Sequence, residues 1–220
     1  AVGTNGDVYL AGIDAKLGLW VTRSTNRGAS FGAPRTVAPL LNNPAARQCG
    51  LSNDGPLPFE LTGCVGPNPT LLVRGSRVFV VYGDVGLNRT QDVFVAALDS
   101  TLKPIFRTRV NPPDRGASDQ FFPTAALDEQ TGALAACWYD TTFDPHKHRA
   151  WFTCSTSGNG RVWKTPVRAA ASPTQPPDLY RSLPVSPTVV AADGIFRAFW
   201  PDGRDYRAGV NVYTAPLAEG

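Results

Sequence analysis

Short apolar runs with a period of two recur along the chain, each opened by a glycine and closed by an aspartate. They lie between Gly6 and Asp14 (DVYLAGI), Gly75 and Asp84 (SRVFVVYG), Gly132 and Asp140 (ALAACWY), and Gly194 and Asp202 (IFRAFWP). A second run follows each: LGLWVTRS, QDVFVAAL, HRAWFTCS and GVNVYTAP. The residues are β-branched or aromatic, as in Val78, Phe79, Val80, Val81 and Tyr82. Alternation of this kind sends successive side chains to opposite faces of a strand. A Pro-Thr pair opens another strand ahead of three blocks, at Pro69-Thr70, Pro123-Thr124 and Pro187-Thr188, spaced 54 and 64 residues apart. No window carries a convincing helical period, so the pattern predicts strands A, B and C in every repeat and D in at least the first three.

Repeats of this length are in the size class of propeller blades. A β-sandwich also produces short strands at regular intervals, but it does not predict the recurring Asp or the Pro-Thr pair. The expected fold is therefore all-β, a β-propeller of four-stranded antiparallel blades, about four of them in this chain. The blades of this single domain fall at approximately 1–40, 68–111, 122–170 and 186–220, with a long loop at 41–67. Ala1–Gly6 (AVGTNG) lines up with Val189–Gly194 (VVAADG), so the first repeat starts inside its innermost strand, and the last stops after strand C at Ala215-Pro216-Leu217. Open edge strands need cover, which leads us to expect further blades in a missing part of the chain or in a partner, or self-association.

Composition narrows the class. Hydrophobic residues make up 42% and charged ones 18%, a balance that argues against disorder. Twenty-one glycines and twenty prolines, spread along the chain, suit many short strands joined by turns. The net charge is only +3 and no basic run exists, so no nucleic-acid footprint is visible. No stretch reaches the ~18–20 uninterrupted apolar residues of a membrane span. Methionine is absent even at position 1, as in a sequence that begins after processing or is an excerpt of a longer one. None of the four cysteines forms a C-x-x-C pair and there are two histidines, which disfavours structural zinc; no metal or cofactor is expected. The even count reads as two disulfides, Cys49–Cys64 closing a loop and Cys137–Cys154 linking neighbouring strands. Four thiols in a reducing compartment are the alternative. Disulfides imply a secreted, extracellular protein.

Between strands C and D of the first repeat stands Ser24-Thr25-Asn26-Arg27-Gly28-Ala29-Ser30-Phe31. The third repeat has Ser155-Thr156-Ser157-Gly158-Asn159-Gly160-Arg161-Val162-Trp163 there, aligned as one residue longer and lacking the Asp. Both suit a hairpin turn in which a short polar side chain bonds backbone, Gly takes positive φ and an aromatic plugs the blade. These segments resemble the Asp-box, S-x-D-x-G-x-T-W, of the bacterial-neuraminidase-repeat propellers in the sialidase superfamily. The second repeat has Leu98-Asp99-Ser100-Thr101-Leu102-Lys103 and no box. Gly28-Ala29-Ser30-Phe31-Gly32 also matches G-x-S-x-G, but a nucleophile elbow needs a following helix, and the pattern predicts none.

The resemblance implies a substrate face built from B–C and D–A loops, with the boxes on the opposite face. It further implies an arginine triad clamping a sugar carboxylate, a Tyr nucleophile assisted by Glu, and an Asp acid/base; Arg suits that clamp because its fork matches a carboxylate. No F/Y-R-I-P motif occurs, and the glutamates are Glu60, Glu129 and Glu219. Glu129 falls in an A–B turn, on the wrong face, and Glu219 at the chain end. The recurrent Asp14, Asp84, Asp140 and Asp202 read first as caps of their own turns. Candidate ligand-binding residues on the loop face are Tyr180, Arg181, Asp140, Asp202, Arg204, Glu60 and Arg115. Both histidines sit in Asp144-Pro145-His146-Lys147-His148-Arg149, read as a solvated loop. Asn88-Arg89-Thr90 is a glycosylation sequon and a surface marker. The functional expectation is a secreted propeller that binds a glycan or another extracellular ligand. A structural component of an extracellular complex and an exo-glycosidase of sialidase type are the alternatives.

Overall fold

The structure, a computed structural model, describes residues 1–40, 66–85, 90–113, 118–146, 149–174, 187–205 and 209–217. These form four antiparallel sheets and no helix. Blade 1 comprises β1 (Val8–Asp14), β2 (Gly18–Ser24) and β3 (Arg35–Ala38). Blade 2 comprises β4 (Thr70–Arg74), β5 (Arg77–Val85), β6 (Gln91–Asp99) and β7 (Pro104–Arg109). Blade 3 comprises β8 (Gln120–Leu127), β9 (Leu134–Asp140), β10 (Trp151–Ser157) and β11 (Val167–Arg168). Blade 4 comprises β12 (Thr188–Ala192), β13 (Ile195–Asp202) and β14 (Asn211–Leu217). In blade 1 strand A is represented by one bridge, Val2 to Val8. Among the described residues blade 4 has no strand D. The all-β propeller architecture expected from the repeats is thus the architecture found.

Each blade is a meander whose A–B turn is made by a glycine of positive φ: Gly6, Gly75, Gly132 and Gly194. The last is clearest, since Asp193 (φ 52°) and Gly194 (φ 79°) join Ala192 directly to its partner Ile195. Two residues of positive φ make the turn whose twist matches that of a hairpin. Pro123 departs from the sequence pattern. It does not open its strand; β8 begins at Gln120, and the register shifts between Phe121 and Thr124 with Phe122 at φ 51°. A proline has no amide to give to the ladder, and a bulge is where a strand tolerates it.

Alternation along β5 and β6 separates two clusters. Val78, Val80, Tyr82, Phe94, Ala96 and Leu98 pack with Tyr9, Leu19 and Val21 of blade 1. Phe79, Val81, Val93, Val95 and Ala97 pack with Ala125, Leu134, Ala136 and Trp138 of blade 3. A third cluster joins Cys137, Tyr139, Phe152 and Cys154 of blade 3 to Phe196, Ala198 and Trp200 of blade 4. The core is therefore three layers, each between successive blades. Arg23 adds a polar clasp between blades 1 and 2: it pairs with Asp7 and donates through Nη1 to the Ser100 carbonyl at 2.6 Å.

Cys137 and Cys154 are register partners on β9 and β10 and form a disulfide in the third cluster. Cys49 and Cys64 lie outside the described residues. Turn aspartates cap their own loops, Asp99 through the amides of Thr101 and Lys103 and Asp128 through those of Gln130 and Thr131. Both carboxyls are held below the usual carboxylate range, chiefly by hydrogen bonds from Thr101 and Thr131 respectively.

Leu98→Ala, in the layer between blades 1 and 2, is expected to cost about 2–5 kcal/mol in denaturant unfolding, against far less for exposed Ile105→Ala. Reducing Cys137–Cys154, which spans 17 residues, is expected to remove about 3 kcal/mol and lower the thermal midpoint. Because the Asp99 and Asp128 pKa values are depressed on folding, their contribution is present above about pH 4 and lost as pH falls through the folded values. Asp128→Asn is expected to flatten the acid limb of the stability–pH curve, measured by midpoints from pH 2 to 7.

Candidate functional site

The ends of β5, β9 and β13 and the starts of β6, β8 and β14 meet at one end of the blades. Buried there are Asp84, Asp92, Asp119, Asp140 and Asp202, together with Asn111 and Gln120. So many buried carboxylates require partners, and the structure supplies them as a chain of hydrogen bonds crossing blades.

The chain begins in blade 2. Asn111, two residues beyond β7, donates from Nδ2 to Asp92 Oδ1 at 2.8 Å and to Gln120 Oε1 at 2.9 Å. Its own Oδ1 accepts the Val93 amide at 2.8 Å. Gln120 then donates from Nε2 to Ser118 Oγ at 2.8 Å and to Asp140 Oδ1 at 3.2 Å. Two carboxamides therefore bridge the carboxylates of Asp92 and Asp140 on adjacent blades. Asp119 makes a parallel link: its carboxylate accepts the Gln91 amide at 2.9 Å, and its own amide donates to Thr141 Oγ1 at 2.8 Å.

Asp140 ends β9 and accepts the Thr142 amide at 2.9 Å, so it caps its own turn. Asp14 does the same with the amides of Lys16 and Leu17, and those bonds hold its carboxyl below the usual range. A separate bond, from the Tyr139 hydroxyl to the Pro201 carbonyl, links blade 3 to blade 4. Burial first, and the nearby Asp202 charge second, push that phenol far above its ordinary value, so it stays a neutral donor.

Asp202 and Arg204 are brought into direct contact. Arg204 Nη2 reaches Asp202 Oδ2 at 2.6 Å, and the Arg204 amide donates to Oδ1 at 2.8 Å. Trp200 Nε1 donates to the same carboxylate at 3.1 Å, and the Arg204 guanidinium lies 4.0 Å over the Tyr213 ring. The Asp202 hydrogen bond holds the Arg204 pKa above its usual value. Arg204 Nε is buried without a partner. Blade 2 has the same design: Arg107 lies 4.0 Å over Phe94, donates to Tyr82 Oη at 2.6 Å and approaches Asp84 at 3.7 Å. Its guanidinium comes from β7, whereas in blade 4 it comes from the B–C loop.

Of the residues nominated from sequence, Asp140 lies in the network between blades 2 and 3, and Asp202 and Arg204 pair with each other in blade 4. Tyr180, Arg181, Glu60, Arg115, Cys49, Cys64 and the sequon residues Asn88 and Arg89 lie outside the described residues. Sequence reasoning did not nominate Asp92, Asn111 and Gln120. The signal available for Asp92 was its place opening strand C, where the register sets it opposite Asp84. Among the described residues no three His, Cys, Asp or Glu side chains converge on a metal-sized site. A cavity of about 430 Å³ between blades 3 and 4 is lined by Cys154, Ser155, Lys164, Val167 and Leu217 among others, with no carboxylate among the described lining residues.

At the other end of the blades are the C–D turns. Ser24 Oγ accepts the Gly28 amide at 2.9 Å and Asn26 Oδ1 accepts the Ser30 amide at 2.9 Å. In blade 3 the equivalent bonds are accepted by Ser157 Oγ from the Gly160 amide at 2.8 Å and by Asn159 Oδ1 from the Val162 amide at 3.0 Å. This corrects the sequence alignment: the second turn is anchored on Ser157, not Ser155. It is one residue shorter rather than longer, and Asn159 stands where Asn26 does. Ser30 sits in this turn with no helix after it, so the nucleophile-elbow match has no structural counterpart.

No family model matches the sequence, and no curated protein does. Solved structures do. The α-L-arabinanase of Penicillium chrysogenum complexed with arabinobiose superposes with TM-score 0.53 at 15% identity, over 93% of this chain and 58% of its own. A mutant Trypanosoma rangeli sialidase displaying trans-sialidase activity gives 0.54 at 12% identity, over 92% and 33%. An α-L-arabinofuranosidase of Fusarium graminearum in complex with an iminosugar inhibitor gives 0.50 at 14% identity, over 96% and 61%. The chain spans about three-fifths or less of the length of these proteins. Likeness at this level defines the fold: the chain has the propeller fold found in sialidases and arabinanases.

Asn111→Ala is expected to strand Asp92 and Gln120 and cost about 1–3 kcal/mol, read from denaturant midpoints. Arg35→Ala, exposed on β3, serves as the near-neutral control.

Proposed function

We propose that this protein is a secreted carbohydrate-binding propeller that takes its ligand at the carboxylate-rich end of the blades. The observation that carries the reading is the gathering there of carboxylate, carboxamide and guanidinium groups held in place by one another. Sugars are recognised by planar polar side chains fixed in advance, because a preorganised donor loses little entropy on binding. Arg204 is the strongest contact candidate. It is clamped by Asp202, stacked on Tyr213 and partly exposed, and its planar charged fork suits an anionic or hydroxyl-rich sugar. The fold shared with proteins named as an arabinanase, an arabinofuranosidase and a sialidase supports a glycan as the ligand class. The Cys137–Cys154 disulfide supports export to an oxidising compartment.

A hydrolase is the second reading, favoured by one observation: Asp92 and Asp140 belong to neighbouring blades and share a bridge of two carboxamides. Glycoside hydrolysis uses two carboxylates flanking one bond.

Glycan-array binding of the wild type and of Arg204→Ala tests the first reading. A bound glycan whose signal falls at least tenfold in the variant, with an unchanged far-UV spectrum, is expected. Binding that is absent, or indifferent to Arg204, sinks it. Turnover of fluorogenic arabinofuranosides or sialosides, lost in Asp140→Asn, would install the hydrolase instead.

A further inference from the structure

Phe143 is out of keeping with its setting. It stands three residues after Asp140, in the B–C loop of blade 3, and is 52% exposed. A single apolar side chain on a loosely held loop would need no explanation. This loop is firmly held. The Asp144 amide donates to the Thr141 carbonyl at 2.9 Å, closing a turn in which Phe143 is the third residue. The first two residues of that turn are tied to the polar end of the blades. Thr141 Oγ1 accepts the Asp119 amide at 2.8 Å, and the Thr141 amide donates to the Asp119 carbonyl at 3.1 Å. Thr142 donates both its amide and its hydroxyl to Asp140 Oδ1, and its hydroxyl oxygen lies 3.0 Å from Ser118 Oγ.

The ring is held as well. Trp151, which opens β10 opposite Asp140, meets it with centroids 5.7 Å apart and planes at 78°. The guanidinium of Arg168, on β11, lies 4.8 Å from its centroid. Neither contact draws the ring into a layer, for Phe143 belongs to none of the three apolar clusters. An apolar side chain fixed at the surface has lost rotamer freedom without the burial that normally offsets it. Such a group is prepared for a ligand.

We propose that Phe143, with Arg168 against its ring, is the stacking subsite for a further sugar of a glycan held at the carboxylate-rich end. The inference rests on the glycan reading given above. Size and surroundings select the occupant. One phenyl ring between Thr142 and Asp144 falls far short of the roughly 800 Å² that each partner buries in a stable protein interface. It matches the apolar C–H face of one sugar, whose rim hydroxyls would meet the Arg168 guanidinium. Position sets the length of the ligand. Asp140, Trp151 and Arg168 lie on three successive strands, so Arg168 is about 10 Å across the sheet from β9, roughly the span of two linked sugars. The ligand is therefore an oligosaccharide rather than a single sugar.

Calorimetric titration of the 220-residue chain tests this, with arabinose against arabinotetraose and sialic acid against sialyllactose as probes. The longer member of one pair is expected to bind more tightly than the shorter. Phe143→Ala is expected to weaken that longer ligand about tenfold and to leave the single sugar within about twofold. Arg204→Ala weakens both. Phe143→Trp is expected to keep the affinity for the longer ligand and Phe143→Leu to lose it, because stacking needs a planar ring. Unchanged far-UV spectra and unfolding midpoints confirm the fold of each variant. Binding that depends on Arg204 but not on Phe143 overturns this inference and leaves the glycan reading standing. Equal losses for short and long ligands in Phe143→Ala also overturn it, since they mean a displaced loop, as does full affinity in Phe143→Leu. Absence of binding to every probe overturns it together with the glycan reading.

Discussion

A β-sheet with two apolar faces has to bury both, and everything else in this chain follows from how that is done. Strand alternation sends Val80 and Val81 in opposite directions, and each arrives in a different layer. Stacking blade on blade is the solution that lets every residue of a strand be buried without a helix to cover it. It also explains why β5 and β6 are buried along almost their whole length, on both faces.

The fold was legible because local chemistry repeats. The glycines opening strand B need positive φ and the aspartates closing it cap turns, and both are residue choices that a single sequence displays. What resisted reading was anything set by register or by neighbours in space. Pro123 looked like a strand opener, because the bulge that accommodates it is defined only against β9. The Ser155 anchor was displaced to Ser157 because three residues in that segment have hydroxyls and only hydrogen-bond geometry chooses among them. At the polar end, the turn aspartates were visible as a series. Asn111 and Gln120 were not, for a lone carboxamide carries no pattern, and its role comes from sitting between Asp92 and Asp140.

Burial at the polar end is unlike burial elsewhere. Within the layers it removes apolar surface from water. At the ends of β5, β9 and β13 it immobilises charge: Asp92 and Asp119 are held by donors from another strand or blade, and Asp202 by Trp200 and Arg204 of its own strand and turn.

Asp84 and Asp92 face each other directly across β5 and β6. Two like charges so placed repel, and the relief comes from the outermost strand, where Arg107 approaches one and Arg109 the other, at 3.7 and 3.4 Å. Blade 4, with no described fourth strand, sets Asn211 opposite Asp202 and draws its guanidinium from the adjoining loop. The number of acids a blade can place across its central strands is therefore tied to whether it has an outer strand to neutralise them. Deleting or grafting an outermost strand in a propeller of this kind is an electrostatic operation on its middle, and a graft that ignores the central pair inherits an unpaired charge.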